Sequence, residues 1–325
     1  MSKTPSGPGR AARPARPNEK NASVKNQGNR PAAPSTGRGF TRFRRNHPIL
    51  GALVPVGLVL LVLVTLVVAK TTGGPATAQP AASKIVAGST SSEDGNGTSA
   101  LPSGVLSAVE SISPSTLAAI GDPSSVSAPT ATPSKTAVLH ASDGKPEILY
   151  IGAEYCPYCA AERWAMVVAL SRFGTFSGLR ATHSSSSDIY PDTNTFSFFG
   201  STYSSASLDF VPVEEQTNHV VNGAYTTLQT PTSSEEALLA RYDAAPYTTE
   251  PGSIPFLDIA NKFVSIGASY TPQVLQGLSM HDIAAQLNDK NSLVATAIDG
   301  AANQIVAAIT AATGVQPNTT TSSGS

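Results

Sequence analysis

Glu147-Ile148-Leu149-Tyr150-Ile151-Gly152-Ala153 is a short apolar run that leads directly into Glu154-Tyr155-Cys156-Pro157-Tyr158-Cys159, and from there into Ala160-Ala161-Glu162-Arg163-Trp164 and on to Phe173. The first part reads as a strand covered on both faces, because polar residues do not alternate with the apolar ones. After Cys159 the apolar positions Ala161, Trp164, Val167, Val168, Leu170 and Phe173 cover most of a helix circumference. The spacing predicts a helix buried on more than one side, with Glu162, Arg163 and Arg172 left for solvent or the domain surface, and Gly174 ends it. Two thiols three positions apart at a helix start can close a small disulfide. The first lies against the unpaired N–H groups and positive dipole end of the helix, which stabilise a thiolate and lower its pKa. A thiolate at working pH attacks a disulfide, and its neighbour then resolves the mixed intermediate.

Upstream, Leu101 to Gly121 carries Val105, Val109, Ile112, Leu117 and Ile120 with Pro114 between, which predicts two short helices on the outside of the domain. Ala137–His140 is expected to be an edge strand, followed by a turn at Ser142-Asp143-Gly144-Lys145. Downstream, Leu179–His183 reads as a second strand. The stretch Ser184 to Ser207 mixes Ser and Thr with Tyr190, Phe196, Phe198, Phe199 and Tyr203. Such aromatics either pin a loop to the core or line a binding surface, and burial is their commoner fate. Ser207–Glu214 is a further strand. Ser233-Ser234-Glu235-Glu236 starts a helix with a serine cap and acids in its first turn. Phe256–Ile259 and Phe263–Ile266 form a hairpin preceded by the Ile254-Pro255 bond, and helices follow over Met280–Leu287 and Ser292–Thr310.

The amino-terminal side has a different character. Residues 1–48 carry 11 Lys and Arg against one acid, Glu19, and lack the hydrophobes for a core. A nucleic-acid arm is one reading of such a tail. Ile49–Ala69, 21 residues without a charge and rich in Leu and Val, points to another, since roughly 20 apolar residues cross a bilayer core as a helix. Arg38, Arg42, Arg44 and Arg45 before it, against Lys70 after it, place the amino terminus in the cytoplasm and the remainder outside. Ala76-Thr77-Ala78 resembles a signal-peptidase site, but the basic region is too long and the apolar run exceeds the roughly 7–15 residues of a signal core, so an uncleaved anchor is expected. Beyond the tail, residues 49 onward hold 10 bases and 21 acids, and so acidic an exterior argues against nucleic acid as a partner of the folded part. The expected division is a disordered basic tail (1–48), a transmembrane helix (49–69), a flexible spacer (70–100), an extracytoplasmic domain (101–313) and a disordered end (314–325). Asn96-Gly97-Thr98 and Asn318-Thr319-Thr320 are glycosylation sequons, patterns short enough to arise by chance.

The order of strand, Cys-Pro-Tyr-Cys, helix, strand, helix, proline, hairpin and helix over about Lys135 to Leu287 resembles the thioredoxin superfamily. Gly152 to Cys159 is similar to the thioredoxin active-site run, and Pro157-Tyr158 between the cysteines is similar to glutaredoxins. Tyr150 to Trp164 and Gly252-Ser253-Ile254-Pro255-Phe256-Leu257-Asp258 further resemble a membrane-anchored actinobacterial and archaeal family, the domain of unknown function 929, over about Leu101 to Thr313. The resemblance implies an α/β fold with a central mixed sheet flanked by helices and a long insertion. It implies that Cys156 is the attacking thiolate, Cys159 the resolving thiol and Pro255 a cis-proline facing the pair. It further implies that Ile254, Tyr155, Pro157 and Tyr158 bind substrate, Ile254 through its backbone. Thioredoxins carry a buried acid six residues before the first cysteine, where this chain has Tyr150. Either proton transfer is then slower or Glu154 or Glu162 substitutes, although a nearby negative charge raises a thiol's pKa.

Only two cysteines are present, so a four-cysteine zinc site and an internal third thiol are both excluded, and His140, His183, His219 and His281 lack ligand spacing. No cofactor or metal is expected. Cys156–Cys159 closes too short a loop to stabilise the chain much as an inert bridge. The expectation is a membrane-anchored thiol–disulfide oxidoreductase. Its partners would be the thiols and disulfides of exported proteins, membrane lipid through one helix, and a membrane redox partner, with no nucleic acid. The alternative is a non-catalytic binding module with a structural disulfide.

Overall fold

The apolar run forms a strand, Glu147–Gly152, whose alternate side chains enter two separate cores. Ile148 and Tyr150 face one, Leu149 and Ile151 the other, and all four are fully buried. In this computed structural model residues 94–318 are described, all within one compact unit, Ile85–Ser325. The expected basic tail, the expected membrane helix at 49–69, most of the spacer and the last seven residues lie outside the described residues.

In chain order the elements are β1 (Ser99–Ala100), α1 (Val105–Glu110), α2 (Pro114–Ile120), β2 (Thr130–Ala131), β3 (Glu147–Gly152), α3 (Pro157–Leu170), β4 (Thr175–Ser177), β5 (Arg180–His183), β6 (Asn194–Ser197), β7 (Thr202–Ser204), β8 (Asp209–Glu214), β9 (Gln216–Val221), β10 (Ala224–Thr227), α4 (Ser233–Tyr242), β11 (Phe256–Ile259), β12 (Phe263–Ile266), a 3₁₀ turn at Pro272–Leu275, α5 (Met280–Gln286) and α6 (Leu293–Thr313). The central sheet runs β2-β12-β11-β3-β8. It is mixed: β8 lies parallel to β3, from Glu147↔Asp209 to Gly152↔Glu214, and the other neighbours are antiparallel. Helices α3 and α6 cover one face through Trp164, Val167, Val168, Ile298, Ala301 and Ile305. On the other face α4 brings Leu238, Leu239 and Tyr242 against Leu149, Ile151, Phe256 and Val264. Burial on both faces is why the central strand reads as apolar throughout.

Helix α6 is, among the described residues, one helix long and apolar enough to cross a membrane by length and composition. Its best window is 61% buried inside the protein, and Ile298, Ala301, Ala302, Ile305 and Ile309 sit in the core it shares with α3. The apolar side chains on its inner face are taken up by that core, which accounts for the composition.

Several expectations are corrected. Glu162, Arg163 and Arg172 are buried, not surface residues of α3. Each has a polar partner that makes burial tolerable: Glu162 accepts from Ser269, Arg163 pairs with Glu214, and Arg172 donates to the carbonyls of Ile112 and Asn318. Helices α1 and α2 form at the expected places, but Val105, Val109, Ile112 and Leu117 belong to the main core. Ala137–His140 forms no strand: His140 makes an isolated bridge to Pro146, because the chain reverses within Ala141–Lys145, and Thr130–Ala131 takes the sheet edge. The expected Leu179–His183 strand is β5, yet it pairs with β1 and β6 in a separate sheet built by the insertion between α3 and β8. Within that insertion Phe196 and Phe198 are buried and Phe198 meets Phe176, Phe210 and Tyr150 edge-on or stacked, so these rings pin the loop. The β9–β10 hairpin lies outside the expected elements, although Asn222-Gly223, both with positive φ, is a strong hairpin-turn signal. The fold also begins before Leu101. Thr98 is buried, its hydroxyl bound to Asp94 and Arg180, and Ser99 pairs with Ala181.

Candidate active site

The turn from β3 into α3 places the two cysteines differently although they are three residues apart. Cys156 is the N-cap of α3, in extended conformation (φ −80°, ψ 121°), with Pro157 at the first helical position, where a missing N–H costs nothing. Its Sγ accepts a hydrogen bond from the Cys159 N–H at 3.2 Å, and thus takes the place a serine oxygen holds in an ordinary cap. It also lies 3.8 Å from the Ile254 carbonyl, to which its S–H donates weakly. The Ile254–Pro255 bond, in the loop before β11, is cis. Cys156 is 5% exposed at the rim, and Cys159 is completely buried beneath it.

These positions push the thiols in opposite directions. A hydrogen bond from the Cys159 thiol lowers the pKa of Cys156 against the effect of burial, and the Cys159 and Tyr158 N–H groups and the Arg163 charge add to it. Burial raises Cys159 well above the ordinary thiol range, and its hydrogen bond to Cys156 and the charge there raise it further. One thiol is poised to ionise and its neighbour holds its proton, the division of labour that an exchange reaction needs.

The other residues expected at the site divide. Tyr158, 40% exposed, and Ile254 line a groove of about 320 Å³ together with Thr248, Thr249, Glu250 and Ser253. Tyr158 also meets Tyr190 of the insertion edge-on at 6.0 Å. Pro157 is buried. Tyr155 turns away from the groove and stacks on Tyr225 of β10 at 4.2 Å, the rings almost parallel; burial, and then the nearby cysteines, push its hydroxyl up to about 12.

Behind Cys159 lies a group of buried polar residues that the sequence did not reveal. Arg163 binds Glu214 at the end of β8 through two hydrogen bonds, 2.7 Å and 2.6 Å, with both side chains fully buried. Glu154, immediately before the motif, is held by the Ser197 hydroxyl through one oxygen. Burial, reinforced by the Glu214 charge, pushes its carboxyl up to about 7. Glu162 reaches a similar value through burial, but it points to Ser269 on the far side of the helix. Arg163 and Glu214 are 51 residues apart, and only the parallel pairing of β3 with β8 brings them together.

The family described as "Domain of unknown function (DUF929)" matches residues 137–311, more than half of the chain. The chain belongs to this family. The matched span contains Cys156, Cys159, the Ile254–Pro255 bond and the Arg163–Glu214 pair. Searches of curated proteins and of solved structures found no match.

Proposed function

We propose that this DUF929 chain is a membrane-anchored, extracytoplasmic thiol–disulfide oxidoreductase with a thioredoxin-like arrangement, acting on exported proteins through Cys156 and Cys159. One observation carries the reading: the Cys156 sulfur caps α3 while facing the Ile254 carbonyl of the cis-proline loop, with Cys159 buried directly behind it. In that geometry Cys156 attacks a substrate disulfide as a thiolate, the substrate strand lies along the groove between Tyr158 and Ile254, and Cys159 resolves the mixed disulfide. The 21-residue apolar segment at 49–69 and the arginines before it supply the anchor and its orientation, with the amino terminus in the cytoplasm and an electron partner in or near the membrane.

The deciding experiment equilibrates the full-length chain, in mild detergent, with glutathione buffers and counts free thiols with a mass tag. A reduction potential near or above about −230 mV, with exchange abolished by Cys156→Ser, is the expected result. A pair below about −300 mV that does not react with disulfides would mark a structural bridge and replace this reading with that of a binding module.

A further inference from the structure

Gly152 ends β3 beside the resolving thiol. A Cβ added there would clash with the Tyr150 hydroxyl oxygen and stand 3.1 Å from Cys159 Sγ. Hydroxyl and thiol therefore converge on one point, which glycine alone leaves clear. Tyr150 is fully buried, and its hydroxyl has no hydrogen-bond partner among the described residues. A buried hydroxyl without a partner is costly, and a phenylalanine would fill the same space without that cost. The Arg163 guanidinium lies 5.9 Å from the centre of the Tyr150 ring; two of its nitrogens hold Glu214, and the third, Nη1, is buried without a hydrogen-bond partner among the described residues. Two buried donors thus stand unspent around a thiol that must ionise.

We infer that Tyr150 donates a hydrogen bond to Cys159 as it becomes a thiolate, with Arg163 supplying the neighbouring positive charge. This rests on the oxidoreductase reading and deepens it: a neutral hydroxyl and a cation serve the resolving thiol where a buried carboxylate would otherwise act as a base. The groups around Cys159 are Cys156 and Arg163 on α3, Tyr150 on β3 and, through Arg163, Glu214 on β8 and Glu154. Glu214 is occupied by Arg163, and Glu154 by Ser197 through one oxygen. Glu162 faces Ser269 and takes no part.

In the step concerned, the substrate is joined to Cys156 by a mixed disulfide. Cys159 loses its S–H proton, which the leaving substrate sulfur takes up, and its thiolate forms the Cys156–Cys159 bond. The bond from Cys156 to the substrate sulfur breaks, and that sulfur leaves with the electron pair and takes up a proton. Over both steps the dithiol is oxidised by two electrons, the substrate disulfide is reduced, and the proton of Cys159 is replaced by one on the substrate. Tyr150 keeps its own proton throughout.

The test titrates Cys159 in the full-length Cys156→Ser chain by the pH dependence of alkylation with iodoacetamide, with and without Tyr150→Phe. Removing the hydroxyl is expected to raise the midpoint by about one pH unit, a tenfold change in ionisation. In the chain with both cysteines, the mixed disulfide with a fluorescent disulfide peptide is expected to last about tenfold longer in Tyr150→Phe, while alkylation of Cys156 changes by less than twofold. An unchanged Cys159 midpoint in a Tyr150→Phe chain that melts like the wild type would overturn the inference. If that variant does not fold, 3-fluorotyrosine at position 150 keeps the shape and strengthens the donor; a lowered midpoint supports the inference and an unchanged one refutes it. A wild-type chain that forms no mixed disulfide at all would defeat the oxidoreductase reading, while the Cys159 titration would still decide whether the hydrogen bond exists.

Discussion

Cys156 sits at the rim of α3 with a thiol N-cap bond, and Cys159 one turn deeper has lost all contact with water. Alkylation of the reduced chain at neutral pH is accordingly expected to modify Cys156 at least about tenfold faster than Cys159, since the reactive form is the thiolate; mass mapping of the labelled cysteine checks this. Elsewhere, burial alone governs single groups. Asp299 on α6 has both carboxyl oxygens buried without hydrogen-bond partners among the described residues, and burial pushes its pKa from 3.8 to about 8. The folded chain then keeps a proton that the unfolded chain has released above about pH 4. The contribution is fully present below that pH and is lost as pH rises through about 8, so stability falls across that window. Glu162 and Asp258, both raised by burial to about 7, tilt the curve the same way. Asp299→Asn is expected to shift the urea midpoint upward at pH 8, by a free energy on the order of a few kcal/mol at about 1.4 kcal/mol per pKa unit. Near pH 4 it should change little, and urea melts at the two pH values decide.

At the scale of elements, the Arg163–Glu214 pair fastens α3 to β8, the two elements that flank the cysteine turn. Both side chains are out of water, so removing one leaves an uncompensated buried charge. Arg163→Met or Glu214→Leu is expected to cost about 3–5 kcal/mol, and the double replacement Arg163→Met/Glu214→Leu much less than the two together. A double-mutant cycle by denaturant unfolding measures this; additive losses would show that the residues act separately. The β9–β10 hairpin is a second fastening, since Tyr225 stacks on Tyr155 next to Cys156. Loss of the ring in Tyr225→Ala is expected to remove the roughly 0.5–1.5 kcal/mol of an aromatic pair beyond its buried area, read as a lower melting temperature.

For the whole molecule, the boundary of the fold matters more than the composition around it suggests. Asp94–Ala100 looks like the end of a Gly- and Ser-rich spacer, yet Arg180 donates to Thr98 at 2.6 Å and to Asp94 at 2.9 Å, and the Thr182 hydroxyl donates to the Gly97 carbonyl. A chain cut to start at Leu101 leaves those donors without partners. It is expected to melt lower than one starting at residue 91, by a free energy on the order of 1–3 kcal/mol. Equal melting temperatures would show that water replaces the lost bonds.

Much of this architecture was legible in the residues themselves. The apolar run 147–153, the cysteine pair with Pro157 at a helix start, the acid-bearing helix start at Ser233 and the hairpin after Pro255 each declare a local structure, because periodicity, caps and turns act within a few residues; the cap at Ser233 is Thr232, one residue before the expected serines. The element at 184–207 was legible only as a choice, and the rings of Phe196 and Phe198 settle it by burial. What the sequence could not declare is where charge lies inside. By helical spacing Glu162, Arg163 and Arg172 are indistinguishable from surface residues. Their burial depends on Ser269, Glu214 and the carbonyls of Ile112 and Asn318, partners 51 or more residues away that only the packed sheet and helices bring near. The convergence of Tyr150 on Cys159 above Gly152 and the approach of Ile254 to Cys156 belong to the same class. The sequence by itself determined the chemistry available, two thiols at a helix start. The tertiary structure decided which groups surround each thiol, because a side chain's environment is set by elements distant in the chain.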